Sequence, residues 1–98
     1  MKGHYQTLPS PEQQQLWWND WNQTFLRNLH PEKVRQGDTA LSLLRLLNLR
    51  QPQILEVGCA NGWLCEKLVE FGAVTGIDIA DVSIAEARSR VPSTRFIV

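Results

Sequence analysis

The sequence predicts an α/β domain built on a parallel sheet and preceded by helices. Three observations lead there. Short apolar runs at residues 54–57, 73–78 and 95–98 alternate with segments of helical character. The first run passes directly into a turn of small residues, Gly58-Cys59-Ala60-Asn61-Gly62. The second run closes on a carboxylate, Asp78, twenty residues after Gly58. Strands separated by helix-length connections pair in parallel through right-handed crossovers, which place helices on the faces of the sheet.

Taken in order, residues 1–9 carry no periodicity and are expected to form a tail. Ser10-Pro11-Glu12-Gln13 combines a Ser N-cap, a Pro where its missing N–H costs nothing, and a Gln three residues after the cap, so a helix begins there. Along it Trp17, Trp18, Trp21, Phe25 and Leu29 fall within about a third of the helical circle, while Gln13, Asn19, Gln23 and Arg27 lie mostly opposite. That aromatic face is expected to pack into the core. His30-Pro31 is expected to end this helix. A second helix is expected to open near Asp38, to run through Leu41, Leu43, Leu44, Leu46 and Leu47, and to stop at residues 48–52. This leaves Lys33 and Arg35 on a loop.

Residues 54–57 read as a buried strand and residues 63–71 as a helix closed by Gly72 as a C-cap. A second strand covers residues 73–78. Ser83-Ile84-Ala85-Glu86 has the form of a capping box opening a helix to about Arg90. Pro92 breaks it, and residues 95–98 form the third strand. The organisation expected is therefore a tail at 1–9, a helical segment at 10–50 and a sheet-forming unit at 51–98.

Composition narrows the function. Ten Lys+Arg balance ten Asp+Glu over 98 residues, so there is no electrostatic footprint for nucleic acid. No uncharged apolar run reaches membrane-spanning or signal-peptide length, and two cysteines make neither a disulfide framework nor a zinc site. A cytoplasmic protein without a metal centre is expected. His4 and His30 read as surface residues, and Glu66 and Glu70 as a charged helix face.

Parallel sheets bind ligands beyond the carboxyl ends of their strands. At the first end, small residues let a ligand approach backbone N–H groups at the start of a helix. At the second end, Asp78 can accept two hydrogen bonds from the hydroxyls of a ribose. Trp63 stands where the dinucleotide fingerprint requires a small residue, which disfavours NAD and FAD. The spacing that fits is acid-x-Gly-x-(Gly/Ala)-x-Gly, with Glu56 in the acid place.

The stretch Ile-Leu-Glu-Val-Gly-Cys-Ala-Asn-Gly at 54–62, with Val-Thr-Gly-Ile-Asp at 74–78, resembles the class I S-adenosylmethionine-dependent methyltransferases, especially the small-molecule, ubiquinone-biosynthesis-like (type 11) group. The resemblance implies a Rossmann-like seven-stranded sheet, of which residues 51–98 would be the first three strands and first half. It implies S-adenosyl-L-methionine as cofactor. Glu56, Gly58, Cys59, Ala60 and Gly62 would line its methionine end, Asp78 would hold the ribose hydroxyls, and Ile79 would pack on adenine. Ala60 replaces the family's middle glycine, which fits a loop needing small size without positive φ. In that group an aromatic N-terminal helix caps the site, and a basic residue such as those in Lys33-Val34-Arg35 can reach the cofactor carboxylate. A small-molecule methyl acceptor is implied, but no residue of this sequence is singled out as catalytic. With three strands the first would keep an unpaired edge open to self-association or to a partner chain, and the 98 residues alone are expected to be marginally stable and inactive. Two rivals stay open: a non-catalytic cofactor-binding or interaction module completed by a partner, and a nucleotide-sugar or dinucleotide enzyme of Rossmann type.

Overall fold

A computed structural model describes residues 8–98. Most of the tail expected at 1–9 lies outside the described residues. The first helix, α1, spans Pro11–Phe25. It opens on the expected capping box: Ser10 Oγ accepts from the Gln13 N–H at 3.1 Å, and Gln13 Oε1 accepts from the Ser10 N–H at 2.8 Å. A 3₁₀ turn at Leu26–Asn28 follows.

The second helix, α2, spans Pro31–Leu47, seven residues longer at its start than the Asp38 opening expected from the sequence. His30-Pro31 is a start signal here. Pro31 takes the first helical position, and His30 Nδ1 accepts from the Glu32 N–H at 3.1 Å. Gly37 therefore lies inside a helix, where a Cβ would sit 3.0 Å from the Trp63 ring. Its absence lets α2 approach the segment after the glycine loop. The helix ends on Asn48, which takes the left-handed conformation at φ +48°.

Strands β1 (Gln53–Val57), β2 (Ala73–Ile77) and β3 (Arg95–Ile97) form a parallel sheet in the order β1-β2-β3, with Glu56 opposite Gly76 and Gly76 opposite Phe96. Helix α3 covers only Cys65–Leu68, inside the 63–71 expected. Around it i→i+4 bonds such as Leu68 N–H to Leu64 O mix with i→i+3 bonds such as Phe71 N–H to Leu68 O, which tightens the turns and interrupts the helix. Gly72 is not a left-handed cap. A Cβ there would lie 2.0 Å from the Pro52 carbonyl oxygen, so close approach is what requires glycine.

Helix α4 spans Asp81–Arg90 and begins two residues before the Ser83 capping box expected. Ser83 is buried and bonds across to α1 instead, while Glu86 faces Arg90 at 3.9 Å. The core joins Leu68, Val74, Ile84, Ala87, Val91 and Phe96 with both cysteines. β1 is not the buried strand expected: Leu55 and Val57 are 59% and 73% exposed, and among the described residues its outer edge has no strand partner. No helix among the described residues is long and apolar enough to cross a membrane.

The docking of α1 reverses the expectation for its faces. Gln15 Nε2 donates to Ile79 O at 3.0 Å, Asn19 Nδ2 to Asp81 Oδ1 at 2.8 Å, and buried Asn22 Nδ2 to Ser83 Oγ at 2.8 Å. The Val82 N–H donates back to Asn19 Oδ1 at 3.2 Å. Residues 15, 19 and 22 share one helical face. This amide row, not the aromatic face, holds α1 on the sheet unit.

Candidate functional site

At the carboxyl end of β1 the chain turns through three left-handed residues: Gly58 at φ +75°, Ala60 at +51° and Gly62 at +80°. The positive φ at Ala60 corrects the sequence expectation, since this position strains any residue with a Cβ. Ala60→Gly is therefore expected to raise stability by about 0.5–1 kcal/mol, the strain relieved exceeding the entropy added to the unfolded chain. Urea unfolding with an unchanged slope and a higher midpoint is the check. At Gly58 a Cβ would meet nothing within 4 Å, so conformation alone selects glycine there and leaves the backbone bare.

The loop is tied to the end of β2. Ile77 O accepts from both the Gly58 and Cys59 N–H groups, at 2.8 and 3.0 Å. The next residue, Asp78, then bridges two loops: Oδ2 accepts from the Ala60 N–H and Oδ1 from the Ala80 N–H, each at 2.8 Å. Each carboxylate oxygen keeps acceptor capacity for a further donor.

Above these loops lies a cavity of about 850 Å³ at the carboxyl ends of all three strands. Its floor includes Glu56, Gly58, Ala60, Asp78 and Ile79, five of the seven residues singled out from the sequence. The other two lie beneath it. Cys59 is fully buried, its Sγ 2.9 Å from where a Gly76 Cβ would stand, and Gly62 packs close to Phe96 and Ala87.

No protein-family model matches the chain. It is 30% identical over 82 residues to the trans-aconitate 2-methyltransferase of Escherichia coli O1:K1 / APEC, a match covering 81% of this chain and 32% of that enzyme. The chain thus spans about a third of the length of this curated relative. Among solved structures it resembles a TehB-like SAM-dependent methyltransferase from Corynebacterium glutamicum, with a TM-score of 0.53 and 25% identity over 68% of this chain and 41% of the other. It shares the fold of the amino pentose methyltransferase CalS10 from Micromonospora echinaspora, with a TM-score of 0.56 and 20% identity over 95% of this chain and 36% of that one. Over this stretch the chain has the helix and parallel-sheet arrangement of S-adenosylmethionine-dependent methyltransferases and is similar to them in sequence.

The acid of the glycine motif has a constrained setting. Burial pushes the Glu56 carboxyl above the usual carboxylate range, against the opposing bond from Cys65 and with the nearby charge of Asp78 adding to the rise. Cys65 Sγ donates to Glu56 Oε1 at 3.0 Å. The adjacent Cys59, burial and Glu56 all push the Cys65 thiol up, so it stays a thiol and remains a donor. A carboxyl whose folded pKa is raised penalises the fold fully above that pKa and not at all below its unfolded value. Glu56→Gln, which can still accept from Cys65, is expected to stabilise the chain at pH 7–8, with the gain vanishing as pH falls through the Glu56 pKa. Urea midpoints of both proteins measured from pH 4 to 8 check this.

The opposite wall of the cavity comes from the helices. Trp18 and Trp21 line it while remaining 41% and 43% exposed, which overturns their expected burial in the core. Lys33 lines it too, from α2. Arg35 lies on the same helix rather than on a loop; it is exposed and paired with Glu32. The sequence reading missed Gln15, Asn19 and Asn22, which set the pose of this wall, although their spacing of four and three residues was visible as an amide stripe.

Proposed function

We propose that this chain binds S-adenosyl-L-methionine in the strand-end cavity and forms the cofactor-holding half of a small-molecule methyltransferase. The observation that carries this reading is the placement of Asp78, which braces the glycine loop and still faces the cavity beside Glu56. The donor set suits the group. The Glu56 carboxylate would attract the cationic methionine end, the free capacity of Asp78 would take ribose hydroxyls, and Ile79 offers an apolar surface to adenine. Gly58 and Ala60 would contribute backbone, with Cys59 anchoring the loop from below and Gly62 closing it against Phe96.

When bound, the sulfonium supplies an already activated methyl group. The chain's own residues then have to hold the cofactor, keep the loop rigid and exclude water; none needs to form a covalent bond. The relatives support a small acceptor, since one is named for trans-aconitate and another for an amino pentose. Methyl transfer is proposed for the whole protein, in which residues 10–50 wall the site and 51–98 hold the cofactor. The two free thiols, Cys59 and Cys65, fit a reducing cytoplasm. Equilibrium dialysis against S-adenosylmethionine and NAD side by side tests the reading. Retention of the first alone is expected; retention of NAD alone would overturn it.

A second reading has one observation in its favour. The unpaired outer edge of β1, with Leu55 and Val57 exposed, could be completed by another polypeptide, making the chain an interaction module. Sedimentation that depends on concentration without any cofactor binding would favour it.

A further inference from the structure

The aromatic face of α1 is the largest feature of the cavity that cofactor binding leaves unexplained. A helix with three tryptophans would ordinarily bury them. Here the amide row Gln15, Asn19 and Asn22 takes the packed side, so the rings are held at the cavity and in solvent. They are braced among themselves. Trp17 stacks on Trp21 with centroids 5.2 Å apart and planes 19° apart, and Trp21 meets Phe25 at 4.1 Å. A rigid, partly exposed aromatic wall on a cavity marks a ligand surface, because exposed apolar area of this kind is costly unless something covers it. Trp63 adds a third ring to the lining.

Charge on the cavity gives the ligand its polarity. The lining carboxylates Asp78 and Glu56 stand on the strand-end floor, which the cofactor fills in the reading above, whereas the charged group on the helical wall is Lys33. The lining cation, Lys33, has no ion-pair partner among the described residues. Flat rings on which another π-system can stack, plus one unpaired ammonium, are complementary to a planar ligand bearing one negative charge.

We propose that the compartment between Trp18, Trp21, Trp63 and Lys33 is the methyl-acceptor subsite and takes a planar aromatic anion, a carboxylate or a phenolate. This rests on the cofactor reading above. Stacking on the tryptophans orients the ring plane, and Lys33 fixes which end of the acceptor is held away from the methyl donor.

The test uses 2-naphthoate as probe, titrated by tryptophan fluorescence with S-adenosylhomocysteine present and absent, while S-adenosylhomocysteine binding is measured separately by calorimetry. The probe is expected to bind at least fivefold more tightly than uncharged 2-naphthamide and than cyclohexanecarboxylate, which has the charge without the plane. Trp21→Leu is expected to weaken it at least fivefold with S-adenosylhomocysteine affinity within twofold of wild type, and Lys33→Met to weaken it at least fivefold and by more than it weakens S-adenosylhomocysteine, both with unchanged circular dichroism. Equal binding of the three probes, displacement of 2-naphthoate by S-adenosylhomocysteine, or a Lys33→Met defect confined to S-adenosylhomocysteine would overturn the proposal. Loss of S-adenosylhomocysteine binding in the wild-type chain with 2-naphthoate still bound would instead sink the cofactor reading and, with it, the acceptor role, leaving an aromatic-anion site.

Discussion

Gly72→Ala is expected to destabilise the chain by about 3 kcal/mol or more, at the upper end of what overpacking a close contact costs. The added methyl would stand 2.0 Å from the Pro52 carbonyl oxygen, a backbone atom that cannot rotate away as a side chain could. That same oxygen accepts from the Ala73 N–H at 3.1 Å, immediately before the Gln53–Ala73 pair that begins the β1–β2 ladder. Moving it disturbs the entry of both strands. In a chain of this size such a loss is a large part of total stability. Circular dichroism in urea should show a midpoint far below that of wild type, or no folded baseline at all. A midpoint within experimental error of wild type would mean that the Pro52–Gly72 approach does not hold the sheet together.

The second large effect is expected at Asp78. Removing its carboxylate in Asp78→Ala leaves the Ala60 and Ala80 N–H groups without their acceptor, two charge-assisted bonds at 2.8 Å. Losing them is expected to cost about 2–4 kcal/mol, less whatever water recovers at these part-buried sites. The damage should concentrate in the two loops. Amide hydrogen exchange is expected to speed up at residues 58–62 and 79–82 while β2 itself stays protected, because its ladder to β1 and β3 is separate. Uniform acceleration along the chain, or none in the loops, would show that Asp78 does not brace them.

Much of the sheet unit was legible in the sequence because its signals are local. A capping box at Ser10, an apolar run entering glycines at 54–62, and a carboxylate at Asp78 each state their conformation within a few residues. What escaped depends on how distant parts meet. His30-Pro31 reads equally as the end of one helix and the first position of the next, and only the Nδ1 cap on Glu32 decides between them. Ser83 matches a capping box by spacing, yet Asn22 from α1 claims its hydroxyl. Periodicity located the aromatic stripe of α1 as far as Phe25, but placed Leu29, which lies past the 3₁₀ turn, on the same helix and could not say which face the helix presents to the sheet. Ala60 kept its left-handed geometry despite its methyl group, since the bonds that loop N–H groups donate to Ile77 O and Asp78 Oδ2 over-determine the loop. Gly72 was read as a helix cap when the constraint came from Pro52, twenty residues earlier.

In the function proposed, the carboxylate-floored cavity beside the glycine loop holds S-adenosylmethionine. Calorimetric titration of the folded chain with S-adenosylhomocysteine tests it most directly, with Glu56→Gln as the companion protein. The choice matters because this variant is expected to be more stable than wild type at neutral pH, so any weakening cannot be unfolding. Saturable binding by wild type, weaker by about 1 kcal/mol or more in Glu56→Gln, is the predicted result, on the scale of one charge-assisted hydrogen bond. No binding by folded wild-type chain, or equal affinity in the two proteins, would contradict the account.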